Sequence, residues 1–186
     1  KVTRMEYMFY HCDKITYTDI SKFNLENVLN STSMFEQCTS LREIQFNFNT
    51  STKNLENMNF MFNGCESLEK INTNIFKENK LNELNYVFKD CYSLEEIDLS
   101  NFGTKHINKL IGTFYNCENL TKIIFTNFDT SKVITMEYMF FNCKNLTSLD
   151  ISNFMLENLK NSNNIFSHCK KLEKIEFNNR DRKSVV

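Results

Sequence analysis

Apolar residues fall into columns that return every 26 or 27 positions along the chain. Seven phenylalanines, Phe9, Phe35, Phe62, Phe88, Phe114, Phe140 and Phe166, each stand three residues ahead of a cysteine. The cysteines are Cys12, Cys38, Cys65, Cys91, Cys117, Cys143 and Cys169, at steps of 26, 27, 26, 26, 26 and 26. Three after each comes Ile15, Leu41, Leu68, Leu94, Leu120, Leu146 or Leu172. Six after stand Ile44, Ile71, Ile97, Ile123, Leu149 and Ile175, with Thr18 in the first copy. Eight after stand Ile20, Phe46, Leu99, Phe125, Ile151 and Phe177, with Thr73 in the third. Fixed spacing of this kind marks a repeat array. The chain reads as seven copies of one unit, numbered here 1 to 7 by their cysteines.

Two periods alternate inside each unit. Val133, Met136, Phe140 and Cys143 are separated by 3, 4 and 3 residues, the spacing that lines one face of a helix. Val2, Met5, Phe9 and Cys12 repeat that stripe, as do Leu55, Met58, Phe62 and Cys65. The expectation is a short helix in each unit. Directly afterwards the period becomes two: Leu149 and Ile151 point one way, Ser148, Asp150 and Ser152 the other, as in a strand. A further phenylalanine eleven after the cysteine (Phe23, Phe76, Phe102, Phe128, Phe154) is placed to plug the turn that follows. Unit 2 departs from this, with Phe48 one position early and an extra residue before Leu55, which reads as a bulge on the outer loop.

One unit cannot bury its own apolar stripe, whereas stacked units bury each stripe against the next. The expected fold class is therefore α/β: a β/α solenoid of seven repeats of about 26 residues, with a parallel sheet on the concave face and short helices outside. Seven strands at about 4.8 Å would span roughly 30 Å. Residues 1–179 read as a single solenoid domain, itself a fragment of a longer chain. Residues 180–186 break the pattern, with Arg180 where a phenylalanine is due, and read as a frayed tail.

Composition narrows the classes of function. The 186 residues are 41% hydrophobic, enough for a sizeable core, and the formal charge of -1 gives no electrostatic reason to expect nucleic acid or an anionic membrane. There is no proline and only 3 glycines, so the turns must repeat in one standard form. No apolar run reaches the length of a membrane helix.

The string Met139-Phe140-Phe141-Asn142-Cys143-Lys144-Asn145-Leu146-Thr147-Ser148-Leu149-Asp150-Ile151-Ser152-Asn153-Phe154 closely resembles the BspA-like leucine-rich repeats, and Asn127-Phe128-Asp129-Thr130-Ser131-Lys132-Val133 matches the rest of their unit. The resemblance covers essentially the whole chain, with Thr18, Thr73, Thr113 and the altered second unit as departures. It implies a right-handed leucine-rich-repeat solenoid from a secreted or surface-attached protein of mycoplasmas, other host-associated bacteria or parasitic protists, with adhesion as the proposed role. It brings no catalytic residues with it.

Candidate chemistry beyond the repeat is sparse. The cysteine count is odd, no C-x-x-C pair occurs, and no Cys–His set has zinc-ligand spacing, so no metal or cofactor is expected. A column of buried thiols acting as small hydrophobes accounts for them. His11-Cys12 and His168-Cys169 are the pairs that a thiol-dependent enzyme would use, but residues adjacent in sequence need not face each other. His106 stands alone. Asn30, Asn49, Asn119 and Asn145 each open an N-x-[ST] triplet, which matters only in a eukaryotic secreted protein.

The exposed strand face remains. Its outward positions are Tyr17, Asp19 and Ser21; Glu43, Gln45 and Asn47; Lys70, Asn72 and Asn74; Glu96, Asp98 and Ser100; Lys122, Ile124 and Thr126; Ser148, Asp150 and Ser152; and Lys174, Glu176 and Asn178. A rigid backbone holding varied side chains can be read by a partner across a wide area. The expected function is non-catalytic recognition of a host or matrix protein through this face; the alternative is a spacer or stalk that presents another domain. The register decides everything, because a slip of one residue would swap the faces.

Overall fold

Six short parallel strands appear where the period of two predicts them, in the computed structural model, which describes residues 1–178. They are β1 (Tyr17–Asp19), β2 (Glu43–Gln45), β3 (Glu96–Asp98), β4 (Lys122–Ile124), β5 (Ser148–Ile151) and β6 (Lys174–Phe177). They pair in twos, β1 with β2, β3 with β4 and β5 with β6, always parallel and always at equivalent positions of successive units. Isoleucine or leucine at the inward sites of β2 to β6, with Thr18 in β1, packs inward on an extended backbone, which fixes the register. Ile44, Ile97, Ile123 and Leu149 are buried, and the residues on either side of each face out.

Unit 3 has no strand. Thr73–Phe76 forms a single 3₁₀ turn instead, opened by the Asn72 side chain, which accepts from the Asn74 amide. Thr73 takes the inward site that holds an aliphatic side chain or phenylalanine in the other units. Its buried hydroxyl donates to the Asp98 carbonyl of unit 4, so a polar group replaces packing there. Phe76 remains buried, its ring 5.5 Å from that of Phe102. The chain then returns so close to Gly103 that a Cβ on that residue would lie 2.7 Å from both the Asn79 amide nitrogen and the Lys77 carbonyl oxygen.

The helices expected on the 3-4-3 stripes do not form; among the described residues the 3₁₀ turn is the only helical element. Each stripe is instead a pair of four-residue turns. In unit 6 the Met139 amide donates to the Met136 carbonyl at 3.1 Å and the Cys143 amide to the Phe140 carbonyl at 3.2 Å. The third residue of each turn, Tyr138 (φ 57) and Asn142 (φ 61), is left-handed, as a type II turn requires. The same two sites are left-handed from Tyr7 and His11 in unit 1 to Asn164 and His168 in unit 7.

Every second amide of this segment points to the next unit. Met136, Tyr138, Phe140 and Asn142 donate to the carbonyls of Asn161, Asn163, Ile165 and Ser167 at 2.9, 3.0, 3.0 and 2.8 Å. A helix would have spent those amides internally. An isolated helix of some ten residues is marginal in water, while the stacked turns satisfy the same groups between units. Turn ladder and strands together close both sides of each unit except the third, where the 3₁₀ turn takes the strand's place.

Between them lies the core. The seven phenylalanine rings stack nearly parallel in one file, with centroids 5.0, 5.8, 5.6, 5.6, 5.8 and 5.7 Å apart from Phe9 to Phe166. Phe35, Phe62, Phe88, Phe114 and Phe140 are fully buried, and each such side chain contributes about 1.5–3 kcal/mol on burial. The phenylalanines eleven after the cysteine are buried as expected in Phe76, Phe102, Phe128 and Phe154 and partly so in Phe23, while Phe48 of the bulged second unit lies exposed. The tail expected over 180–186 lies outside the described residues.

Candidate functional site

The strands carry outward the side chains that the sequence pattern assigns to that face. Tyr17, Asp19, Glu43, Gln45, Glu96, Asp98, Lys122, Ser148, Asp150, Lys174 and Glu176 are all exposed. Register places Tyr17 beside Glu43, Glu96 beside Lys122, Asp98 beside Ile124, and Asp150 beside Glu176. Lys70 and Asn72 are exposed too, but the third strand they were expected to occupy is absent, and Asn72 serves as the cap of the 3₁₀ turn. The face is therefore interrupted at unit 3. Ile124 departs differently: it is half-buried.

Several of these residues also have a local task. Asp19 accepts from the Ser21 amide at 2.8 Å, Asp98 from the Ser100 amide at 2.8 Å and Asp150 from the Ser152 amide at 2.9 Å. Each closes an Asx turn at the end of its strand. The serine hydroxyl and then the serine amide hold all three carboxyls below the ordinary aspartate value of 3.8. Lys122 lies 3.7 Å from Glu96 and Lys174 2.6 Å from Glu176, exposed pairs of small energetic weight. The D-x-S spacing was the signal for these turns in the sequence, and reading the aspartates only as partner contacts missed it.

The cysteines form the expected inward column. The thiols of Cys38, Cys65, Cys91, Cys117, Cys143 and Cys169 each donate to the carbonyl of the preceding unit's core phenylalanine, at 3.0, 3.1, 3.2, 3.0, 3.2 and 3.0 Å. Burial pushes Cys38 up to about 11 and raises Cys65, Cys91, Cys117, Cys143 and Cys169 as well, the opposite of what a nucleophilic thiolate needs. His168 packs on the Phe141 ring at 5.0 Å while the neighbouring Cys169 thiol turns to Phe140. His11 lies 4.5 Å from the Tyr10 ring, with Asp13 3.7 Å from its Nδ1. Neither His–Cys neighbour pair forms a base beside a nucleophile. Among the described residues no group of three His, Cys, Asp or Glu side chains is placed to hold a metal ion, and no helix is long and apolar enough to cross a membrane.

Two concavities bear on a site. The larger, about 670 Å³, opens at unit 1 beside Val2, Met5, Met8 and Phe23. Its four apolar lining residues belong to columns that pack against a neighbouring unit elsewhere in the stack, while Lys1, Arg4, Glu6 and Glu26 line the rest with Asn24 and Asn27. The other, about 380 Å³, lies on the strand face between β4 and β5, lined by Ile123, Ile124, Phe125, Thr126, Asp150, Ser152 and Asn153.

Parallel two-strand sheets stacked on a file of core phenylalanines, with a second backbone ladder through the turns, define a leucine-rich-repeat protein. The chain belongs to the family described as Mycoplasma protein of unknown function, DUF285, which matches residues 1–75 and 82–185 and whose repeat is of the BspA-like leucine-rich kind. The gap in that match falls on the end of the irregular third unit. No curated protein matches the sequence. Among solved structures, a leucine-rich repeat protein from Bacteroides ovatus is similar at a TM-score of 0.65 and 21% identity, over 95% of this chain and 41% of that one. A leucine-rich cell surface protein from Faecalibacterium prausnitzii is similar at 0.68 and 18% identity, over 95% of this chain and 43% of its own. The leucine-rich repeat protein of T. pallidum follows at 0.56 and 17% identity, over 92% and 72%. This chain spans less than half the length of the first two.

Proposed function

We propose that residues 1–179 form one seven-unit solenoid domain of a cell-surface protein, and that its concave strand face binds a protein of a host or its matrix without catalysing a reaction. The observation that carries this reading is the contrast between columns. Inward sites keep phenylalanine, cysteine and leucine from unit to unit, while the outward sites of the strands hold tyrosine, glutamate, lysine and serine at one position and aspartate, glutamine, isoleucine and glutamate at the other. Uniform packing makes the backbone rigid, and a rigid surface loses little entropy when a partner settles on it. The cell-surface description of the Faecalibacterium prausnitzii structure supports the location.

The test is a surface-plasmon panel of matrix proteins such as fibronectin, laminin and collagen, run with the chain and with a variant altered at Tyr17, Asp98, Ile124 and Asp150 together. Saturable binding that the variant loses by a factor of ten or more is the expected result. An absence of saturable binding to every protein counts against recognition. Binding that the variant keeps unchanged favours the second reading, a rigid spacer that presents another domain, which the turn ladder running along one side of the stack would suit.

A further inference from the structure

We infer that the cleft beside Ile124 is the anchor point of the strand-face site, and that it seats an apolar side chain flanked by lysine or arginine on a segment of the partner protein. This inference rests on the reading of the strand face as the binding surface and names the chemistry of what binds there.

The repeat supplies its own control. Seven after each cysteine stand Asp19, Gln45, Asn72, Asp98, Ile124, Asp150 and Glu176, and Ile124 alone among them is apolar. In units 1, 3, 4 and 6 the aspartate or asparagine at this site caps the amide two residues on, and Gln45 of unit 2 instead donates to the Phe46 carbonyl. Unit 5 has given up that cap: isoleucine offers the Thr126 amide no acceptor. An exposed-face aspartate exchanged for isoleucine loses a local hydrogen bond and gains little burial, since Ile124 remains half-exposed. Departures from a local rule with no structural compensation are where function is expected.

The surroundings complete the anchor. β4 and β5 belong to different two-strand sheets, so the cleft opens at a seam between units. The Asn153 side-chain amide spans that seam, donating to the Phe125 carbonyl at 2.6 Å and the Thr126 carbonyl at 3.1 Å, and fixes the floor. A cleft of about 380 Å³ accepts one aliphatic or aromatic side chain on Ile124. On the two sides of Ile124 in its row stand Asp98, in register with it across the β3–β4 pair, and Asp150, which lines the cleft. Lys122 and Lys174 stand near these two aspartates, but each is also paired with a glutamate, Glu96 or Glu176, so carboxylates outnumber lysines around the cleft. An apolar centre between two carboxylates matches an apolar side chain between cationic ones.

The test uses capped tripeptides as probes, followed by amide chemical shifts of the isotope-labelled chain. Acetyl-Arg-Leu-Arg-amide at millimolar concentration is expected to give saturable shifts confined to Ile124, Thr126, Asp150 and their neighbours. Acetyl-Glu-Leu-Glu-amide and acetyl-Arg-Gly-Arg-amide are expected to bind at least tenfold more weakly. Ile124→Asp restores the residue of the neighbouring units, so it is expected to fold with an unchanged or higher melting temperature and to lose those shifts. Shifts scattered over the surface, equal response to the acidic peptide, or an unaffected Ile124→Asp variant would each overturn the inference. The matrix-protein panel reads the whole face independently of these peptides, so an anchor placed wrongly and a face that binds nothing give different results.

Discussion

An aspartate at the end of a strand works here at the smallest scale. Asp98 and Asp150, with Asp129 on the loop after unit 5, each accept from the amide two residues on, Asp129 from Ser131 at 2.9 Å. Serine hydroxyl and amide together hold each carboxyl below 3.8. A depressed folded value means that the charged form is favoured by folding. The contribution is therefore complete above the unfolded value and fades as pH falls through the lower folded value. Urea midpoints of the chain are expected to hold steady above about pH 5 and to fall below about pH 4. Asparagine can accept the same amide without titrating, so a variant carrying Asp98→Asn, Asp129→Asn and Asp150→Asn is expected to keep its Asx turns and show a shallower acid decline. An unchanged slope in that variant would place the acid sensitivity in other groups, such as Glu83, which Lys109 holds low at 2.7 Å.

At the scale of elements, the left-handed sites decide the turn ladder. Gly112 has φ +55, and a Cβ there would come within 2.3 Å of the Tyr86 ring, which lies over it. Gly112→Ala brings both the backbone penalty and the clash, and is expected to cost about 1–3 kcal/mol in chemical denaturation. Removing the ring first separates the two: in a Tyr86→Ala background the same glycine change is expected to cost clearly less. Equal cost in both backgrounds would mean that the ring is not in the way. These sites also explain what the sequence disclosed and what it concealed. The strands, their register and the phenylalanine file were readable, because apolar side chains alternating in phase over seven copies leave one consistent assignment. The turn pairs were misread as helix because two four-residue turns place inward side chains at the same 3-4-3 intervals as one face of a helix. The missed signal was the pairing of residues tolerant of positive φ four apart, Gly112 with Asn116 and Asn164 with His168. Thr73 was visible as an exception, yet nothing in one threonine says that a strand will give way to a 3₁₀ turn. The aspartates were placed on the correct face, but their capping role was overlooked.

For the whole molecule, stability should be a sum of units and the interfaces between them. Those interfaces are unequal. Units 4 and 5 share a strand pair, the turn ladder, stacked rings of Phe88 and Phe114, and the thiol bond from Cys117 to Phe88. Unit 3 lacks a strand, so it joins unit 2 on one side and unit 4 on the other through the turn ladder, the Thr73 hydroxyl and its core side chains. Phe62 therefore carries a larger share of the cohesion at its site than Phe114 does at its own. Either ring truncated to alanine removes a fully buried side chain and should cost about 3–5 kcal/mol locally. The consequence for cooperativity should differ. Phe114→Ala is expected to lower the urea midpoint while leaving one transition, because unit 5 keeps its strand pair with unit 4 and its turn ladder to unit 6. Phe62→Ala is expected to uncouple units 1 and 2 from units 4 to 7 and split the curve in two, with amide exchange rising first around Asn72–Lys77. If the two variants unfold alike in a single transition, the turn ladder alone carries cooperativity through unit 3, and the missing strand is a change in surface shape with no weakness behind it.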